Sequence, residues 1–404
     1  MKRAGPLVTA LGSAVLPAIA AAGGMLLLGG CASCQSTVQA VSVPAIAGAT
    51  FDGAEIDQPG HRVYLANESD KSVTVVDVSR STPRLAGAVQ LDGPPKGLAF
   101  APDRHVLYAG LATSGIAVID PASMQVVSTI PLDGAAADLI DYSPTTGEIY
   151  AGSDGGVLVV NASSQQITRR LTTNSRVGQP RYDPTDSKLY VTTAATDSLV
   201  QLDPRTGYVS QTYVIPKCHP SGVGINPSRQ LALVSCGSSI ALVNLRSGAQ
   251  QVTRSLQGGD VVAYDAAADR FVVASPHDRT DSAVGVFAGD GRFIGSVSSV
   301  STAHAAVYDE AHGLVYAPGA AGLMTFAPGQ CEPPPEWLQF AGGMSIFAVP
   351  FIAAVVFLVL YARRLRRGPT TPKGPTDREL REQDFAHEVE RMRALEEGIL
   401  GPEG

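Results

Sequence analysis

The sequence predicts an all-β fold, a seven-bladed β-propeller of four-stranded blades with an N-terminal strand closing the last blade, plus one C-terminal transmembrane helix. Three observations carry this. Short apolar runs broken by Gly, Pro, Asp and Ser dominate, with 42 Gly and 28 Pro in 404 residues and little helical period. A two-part β unit recurs at a near-constant interval along most of the chain. Leu338 to Tyr361 is an uncharged stretch of 24 residues.

Residues 1–30 read as a signal peptide or signal anchor. Lys2 and Arg3 precede the uncharged run Ala4 to Gly30. Its end, Leu28-Gly29-Gly30-Cys31, resembles the lipobox of bacterial lipoproteins, which would make Cys31 the lipidation site. An uncleaved anchor and ordinary cleavage near Ala40 stand beside that reading.

Residues 31–330 are expected to form the propeller. "VYLANESDKSVTVVD" begins at Val63, "LYAGLATSGIAVID" at Leu107, "IYAGSDGGVLVVN" at Ile149 and "LYVTTAATDSLVQLD" at Leu189. Less regular copies follow from Leu231, Phe271 and Val315. Aligned on Tyr64, Tyr108, Tyr150, Tyr190, Ala232, Val272 and Tyr316, the intervals are 44, 42, 40, 42, 40 and 44 residues. A further short strand lies on each side of the unit, such as "GLAFAPDRH" before it and "MQVVSTIPL" after it. Four strands in about 42 residues is the period of a propeller blade. The unit resembles the YVTN repeat of YncE-like seven-bladed propellers, best at "LYVTTAATDSLVQLDPRTG" and next at "LYAGLATSGIAVIDPASMQVV". The resemblance spans residues 36–328 and implies the fold; propellers carry many unrelated activities.

The seventh copy supplies only three strands, near Ala306–Tyr308, Leu314–Ala317 and Leu323–Phe326. Ser36 to Pro44 is β-like with no other assignment, so it is expected to become the missing outer strand. That would bring Cys34 near Cys331, and a disulfide there would close the ring at about 5 kcal/mol in the chain-entropy model. Cys218 and Cys236 fall on one rim of blade five and are expected to form a second disulfide. Cys31 is then left for the lipid.

The span at 337–361 has Trp337 and Tyr361 at its ends and four arginines directly after it. Its length, about 36 Å as a helix, exceeds a hydrocarbon core of about 30 Å. The arginines place residues 362–404 in the cytoplasm and the propeller on the periplasmic or extracellular side of a bacterial cell membrane. In that tail Thr376 and Glu379 make a capping box ahead of a short amphipathic helix, expected to be solvated or to dock a partner.

The net charge is −7; the tail from Ala362 balances nine basic against nine acidic residues, and the body is acidic without a basic stripe. Nucleic acid is therefore excluded as the main partner. The only Trp is Trp337, which removes tryptophan-docking and Asp-box motifs, and no G-x-S-x-G elbow or CxxCH site occurs. Asp77, Asp120 and Asp203 end third strands at equivalent places and read as turn chemistry. The loops between blades, with those between second and third strands, form the face expected to bind. There lie His219, His277, Asp278 and His304, beside Cys218 and Cys236. His61, His105 and His312 sit in turns of the opposite face and read as solvated. A membrane-tethered binding or scaffold module for an envelope protein is the leading expectation, with no catalytic residue and no cofactor. A lactonase-like hydrolase with a metal in the channel, its ligands unassigned, and a copper or redox site at Cys218, His219 and Cys236 are the alternatives.

Overall fold

The computed structural model describes residues 39–41, then 49–328 apart from 114, 174, 277–281, 300–302 and 320–321, and finally 357–363, 374 and 376–396. Two compact units emerge, 1–333 and 334–404. The first holds seven antiparallel sheets of four strands each. Within each blade the strands follow one another outward from the axis. Blade four shows the pattern: Pro180–Asp183, Lys188–Thr193, Ser198–Leu202 and Val209–Val214. Blade seven takes its outer strand from the N-terminus, as expected, with Gln39–Val41 antiparallel to Gly322–Phe326 and Val41 opposite Leu323.

The strands are β-branched, near-continuous apolar runs because each sheet is covered on both faces by its neighbours. Second strands such as Lys188–Thr193 are buried at every residue after the first, while outer strands such as Gln125–Ile130 expose most side chains. The core is accordingly divided into seven apolar clusters, one at each seam between blades. Tyr64, Tyr108, Tyr150, Tyr190 and Tyr316 are among the largest fully buried side chains, and each fills one seam. Three of them pack on a ring from the next blade's inner strand: Tyr64 on Phe100, Tyr108 on Tyr142 and Tyr150 on Tyr182, with centroids 5.6–6.1 Å apart.

One alignment of the repeat needs correction. The turn after the inner strand is the same length in every blade, pairing Asp57 with Arg62, Asp183 with Lys188, Asn226 with Leu231 and Asp309 with Leu314. That makes Leu233, rather than Ala232, the counterpart of Tyr190. Leu233 also faces the seam to the following blade, as the tyrosines do, whereas Ala232 faces the preceding one. The intervals around blade five are therefore 43 and 39.

The turns are built by side-chain caps. Asp77, Asp120 and Asp203 accept N–H groups of Ser79, Ala122 and Arg205, and Asn161 and Asn244 do the same in blades three and five. Hydrogen bonds from Ser79, Ser123 and Arg205 respectively hold the three aspartates below the usual carboxylate range. Inner strands are stitched directly to their neighbours. Gly97 N–H donates to Asp138 O, Gln179 N–H to Ser221 O and Val261 N–H to His304 O, and Phe51 bridges Ala303 where the ring closes.

In the second unit, residues 357–363 are helical with exposed side chains, and Asp377–Glu396 is a helix. Thr376 and Glu379 form the expected capping box. The apolar residues Leu380, Phe385, Val389 and Met392 of the helix are exposed and charge surrounds them, so no pronounced apolar face develops. Among the described residues no helix is long and apolar enough to cross a membrane. The expected span at 337–361 falls on described residues only at 357–361, and Cys31, Cys34 and Cys331 lie outside them.

The close approach at the axis makes Gly97 sensitive. A Cβ there would sit 2.6 Å from the Leu139 Cα and the Ile140 nitrogen, which are backbone atoms of blade three. Gly97→Ala should destabilise the propeller by about 1–3 kcal/mol in urea unfolding. Gly374→Ala, in open space, should leave that transition unchanged.

Candidate binding site at the mouth of the ring

The loops entering each inner strand meet around the axis and enclose a cavity of about 610 Å³. Twelve residues before the aligned second-strand position, the seven blades place Asp52, Lys96, Asp138, Gly178, Ser221, Asp260 and His304, and all seven line it. Arg176, from the loop into blade four, completes the wall with Ala194, Ala195 and Pro220. A second hollow of about 510 Å³ shares Lys96, Asp138 and Arg176 and runs over the seam of blades two and three. Together they make a groove from the axis toward the rim.

The charges alternate in blade order: Asp260, His304, Asp52, Lys96, Asp138, Arg176. Lys96 Nζ is paired with Asp52 and lies 2.8 Å from Glu68. Burial opposes its charge, but hydrogen bonds to both carboxylates outweigh burial and leave the ammonium pKa raised. Arg176 contacts Asp138 at 2.6 Å and Asp154 at 3.8 Å. His304 Nδ1 lies 2.7 Å from Asp260 Oδ2. The hydrogen bond to Asp260 raises the imidazole pKa against the opposing effect of burial, with Asp52 adding to the rise. Apart from Arg176, blades four and five contribute only small uncharged groups. Behind them Gln179 is buried and ties three blades together, accepting the N–H groups of Val223 and Val262 and donating to Val262 O.

One level down, nine residues before the aligned position, the inner strands place Glu55, Ala99, Asp141, Arg181, Gly224, Ala263 and Val307. Arg181 lies 3.4 Å from Asp141, whose other oxygen accepts the Tyr182 N–H at 2.8 Å. Burial pushes the Glu55 carboxyl up to about 7, opposed by Arg181 and reinforced by Asp141. Burial also raises Asp141, against the pull of Arg181.

Of the residues singled out from sequence, His304 is in the mouth. His219 is not; it is exposed on the rim, 3.4 Å from Asp197, whose carboxylate accepts the N–H groups of His219 and Lys217. Cys218 and Cys236 are buried and joined by the expected disulfide, Cα atoms 4.5 Å apart. With both sulfurs bonded, neither is a thiolate, so the alternative copper site at Cys218, His219 and Cys236 loses its sulfur ligands. His277 and Asp278 lie outside the described residues. His312 is not simply solvated, because Nδ1 sits 2.8 Å from the buried Asp309. Among the described residues no group of His, Cys, Asp or Glu is arranged to hold a metal ion. The mouth residues Asp52, Lys96, Asp138 and Asp260 escaped the sequence reading, although they occupy one column of the repeat.

No family model matches this chain, and no curated protein matches it. Among solved structures, hydrazine synthase of Kuenenia stuttgartiensis is similar at a TM-score of 0.59 and 15% identity, over 68% of this chain and 95% of that one. At that identity the likeness is one of fold.

Two measurements follow from the geometry. The His304 ring should titrate by NMR above its ordinary value of about 6.5. Asp260→Asn should bring it down. The sign is that of a raised base: the pair contributes stability below the unfolded pKa, and this is lost as pH rises through the folded one. Replacing Cys218 and Cys236 together by Ala should cost about 3 kcal/mol in urea unfolding, the value for a loop of this length.

Proposed function

We propose that this chain is a membrane-tethered binding module that presents the mouth of its propeller to a protein partner in the cell envelope. The observation that carries the reading is that the cavities, the alternating charges and the disulfide-braced loop all occupy one face. A groove walled by small residues and paired charges suits an extended polypeptide segment.

The tether is proposed from sequence. The uncharged stretch before the arginines is long enough to cross a bilayer, and Phe357 to Tyr361 at its end are helical and exposed. The outer strand of blade seven begins, and its third strand ends, on the face opposite the mouth. Both tethers would leave from there and turn the mouth away from the membrane. The lipobox at Cys31 offers a second attachment.

Two outcomes are expected. Protease added to intact spheroplasts should remove the propeller and spare an epitope at the C-terminus; loss of the epitope would reverse the topology. Ala195→Trp, which fills the mouth from an exposed loop position, should abolish crosslinks between mouth residues and the partner in membranes. Undiminished crosslinking would move the site elsewhere.

A further inference from the structure

Glu55 stands apart from the other charges at the axis. Lys96, Arg176, Arg181 and His304 each have a carboxylate within 4 Å, but no cation lies within that distance of Glu55 among the described residues. Its one hydrogen bond among them comes from the next residue, Ile56 N–H at 3.2 Å. Glu55 is half-buried, and Arg181 of blade four and Asp141 of blade three act on it from across the ring, the condition of a side chain facing the axis. The mouth above it is already short of positive charge. Lys96 faces both Asp52 and Glu68, and Arg176 faces both Asp138 and Asp154. A funnel with excess carboxylate at its rim and an unmatched carboxylate at its base concentrates field lines on a cation entering along the axis.

We infer that the mouth and the channel beneath it receive one cationic group, an alkylammonium or a guanidinium, with the Glu55 carboxylate as its deepest acceptor. This rests on the mouth being the recognition face. Three residues of strand separate Asp52 from Glu55, about 10 Å of depth. A cation on a long flexible arm spans that, whether it is a free polyamine or an arginine or lysine side chain from a partner. Ala99, Ala263 and Val307 leave the rest of that level uncharged, and Gly224 leaves it without a side chain.

Arrival of the cation requires the ionised form of Glu55, so binding releases a proton near neutrality. Two ionisable groups act on Glu55 from the same level: Arg181 favours its charge, and Asp141, itself pushed up by burial against the pull of Arg181, opposes it. His304 at the rim gains positive charge on acidification and acts in the same direction.

The test is calorimetry on the full-length chain in detergent, with spermidine and with a capped Gly-Arg-Gly peptide as probes. At least one should bind at pH 8, and at pH 6.5, where Glu55 is still largely protonated, binding should release a proton, seen as a heat that varies with the ionisation enthalpy of the buffer. Binding should weaken about tenfold at pH 6, from the loss of Glu55 charge alone. Glu55→Gln should lower affinity at pH 8 about tenfold and remove most of the proton release, and Glu55→Asp should restore the release. Spermidine alone binding would identify a free polyamine; the peptide alone would identify a partner's side chain. Equal affinity of Glu55→Gln and the wild type overturns the inference, as does failure of both probes to bind. If Ala195→Trp blocks the partner while Glu55→Gln does not affect it, the mouth stands as the recognition face and the axial receptor falls.

Discussion

The architecture depends on how closely the inner strands approach one another at the axis. Backbone meets backbone there: one blade's N–H reaches the next blade's carbonyl at Gly97 to Asp138, Gln179 to Ser221 and Val261 to His304. Glycine is required wherever the approach is tightest. A Cβ on Gly53 would lie 2.5 Å from Lys96 O, and one on Gly222 would lie 2.1 Å from Asp260 O. Farther from the axis the seams widen, and the residues filling them grow accordingly. Tyrosines and leucines occupy the second strands, and each fully buried one contributes about 2–3 kcal/mol of apolar burial. Glycine at the centre and an aromatic one strand out are two expressions of one wedge-shaped geometry.

Closure follows from the same constraint. A seam leaves a blade stable only if both its faces are covered, so the ring has no tolerant end. Blade seven would present an open edge at Gly322–Phe326, and the N-terminal strand Gln39–Val41 covers it. The contact joins the two ends of the propeller and converts a row of repeats into one cooperative body. The Cys218–Cys236 disulfide acts locally by comparison. It braces the loop where Lys217 and His219 adopt left-handed backbone and where Asp197 caps two N–H groups.

Much of this was legible in the sequence. The period of the repeat, the strand order within a blade, the closing strand and the Cys218–Cys236 bridge all follow from short-range pattern and chain direction. The site was less legible, for a specific reason. Blade five has a shorter second strand, Leu231–Ser235, followed at once by Cys236 and with alanine and leucine in place of Leu-Tyr, so apolar pattern alone cannot choose between Ala232 and Leu233. The constant turn length decides for Leu233, and only then does Ser221 fall into one column with Asp52, Lys96, Asp138 and His304. Glu55 was hidden differently. Its significance lies in Arg181 and Asp141, which reach it across the axis from blades three and four. His312 read as a turn residue because its partner Asp309 is buried by the fold rather than by neighbours in sequence.

The column at the mouth shows how a repeat with uniform architecture can carry a particular site. At Asp138, Ser221 and His304 the backbone carbonyl accepts the inter-blade hydrogen bond, and at Lys96 it sits against Gly53. The structural task is thus discharged by the main chain, which every residue type supplies. The side chain at the same position points into the mouth, where pairs such as Lys96–Asp52 and His304–Asp260 add to seams that the main chain already closes. It varies among Asp, Lys, Gly, Ser and His from blade to blade. The fold imposes strict small-residue demands one position along, at Gly53, Gly97 and Gly222, and within the column only at Gly178, where a Cβ would lie 2.4 Å from Ser221 O. A binding surface built on the other positions of that column can be changed one blade at a time while the main chain keeps the ring closed. That separation is the physical reason to seek this chain's specificity in the irregular residues of an otherwise regular repeat.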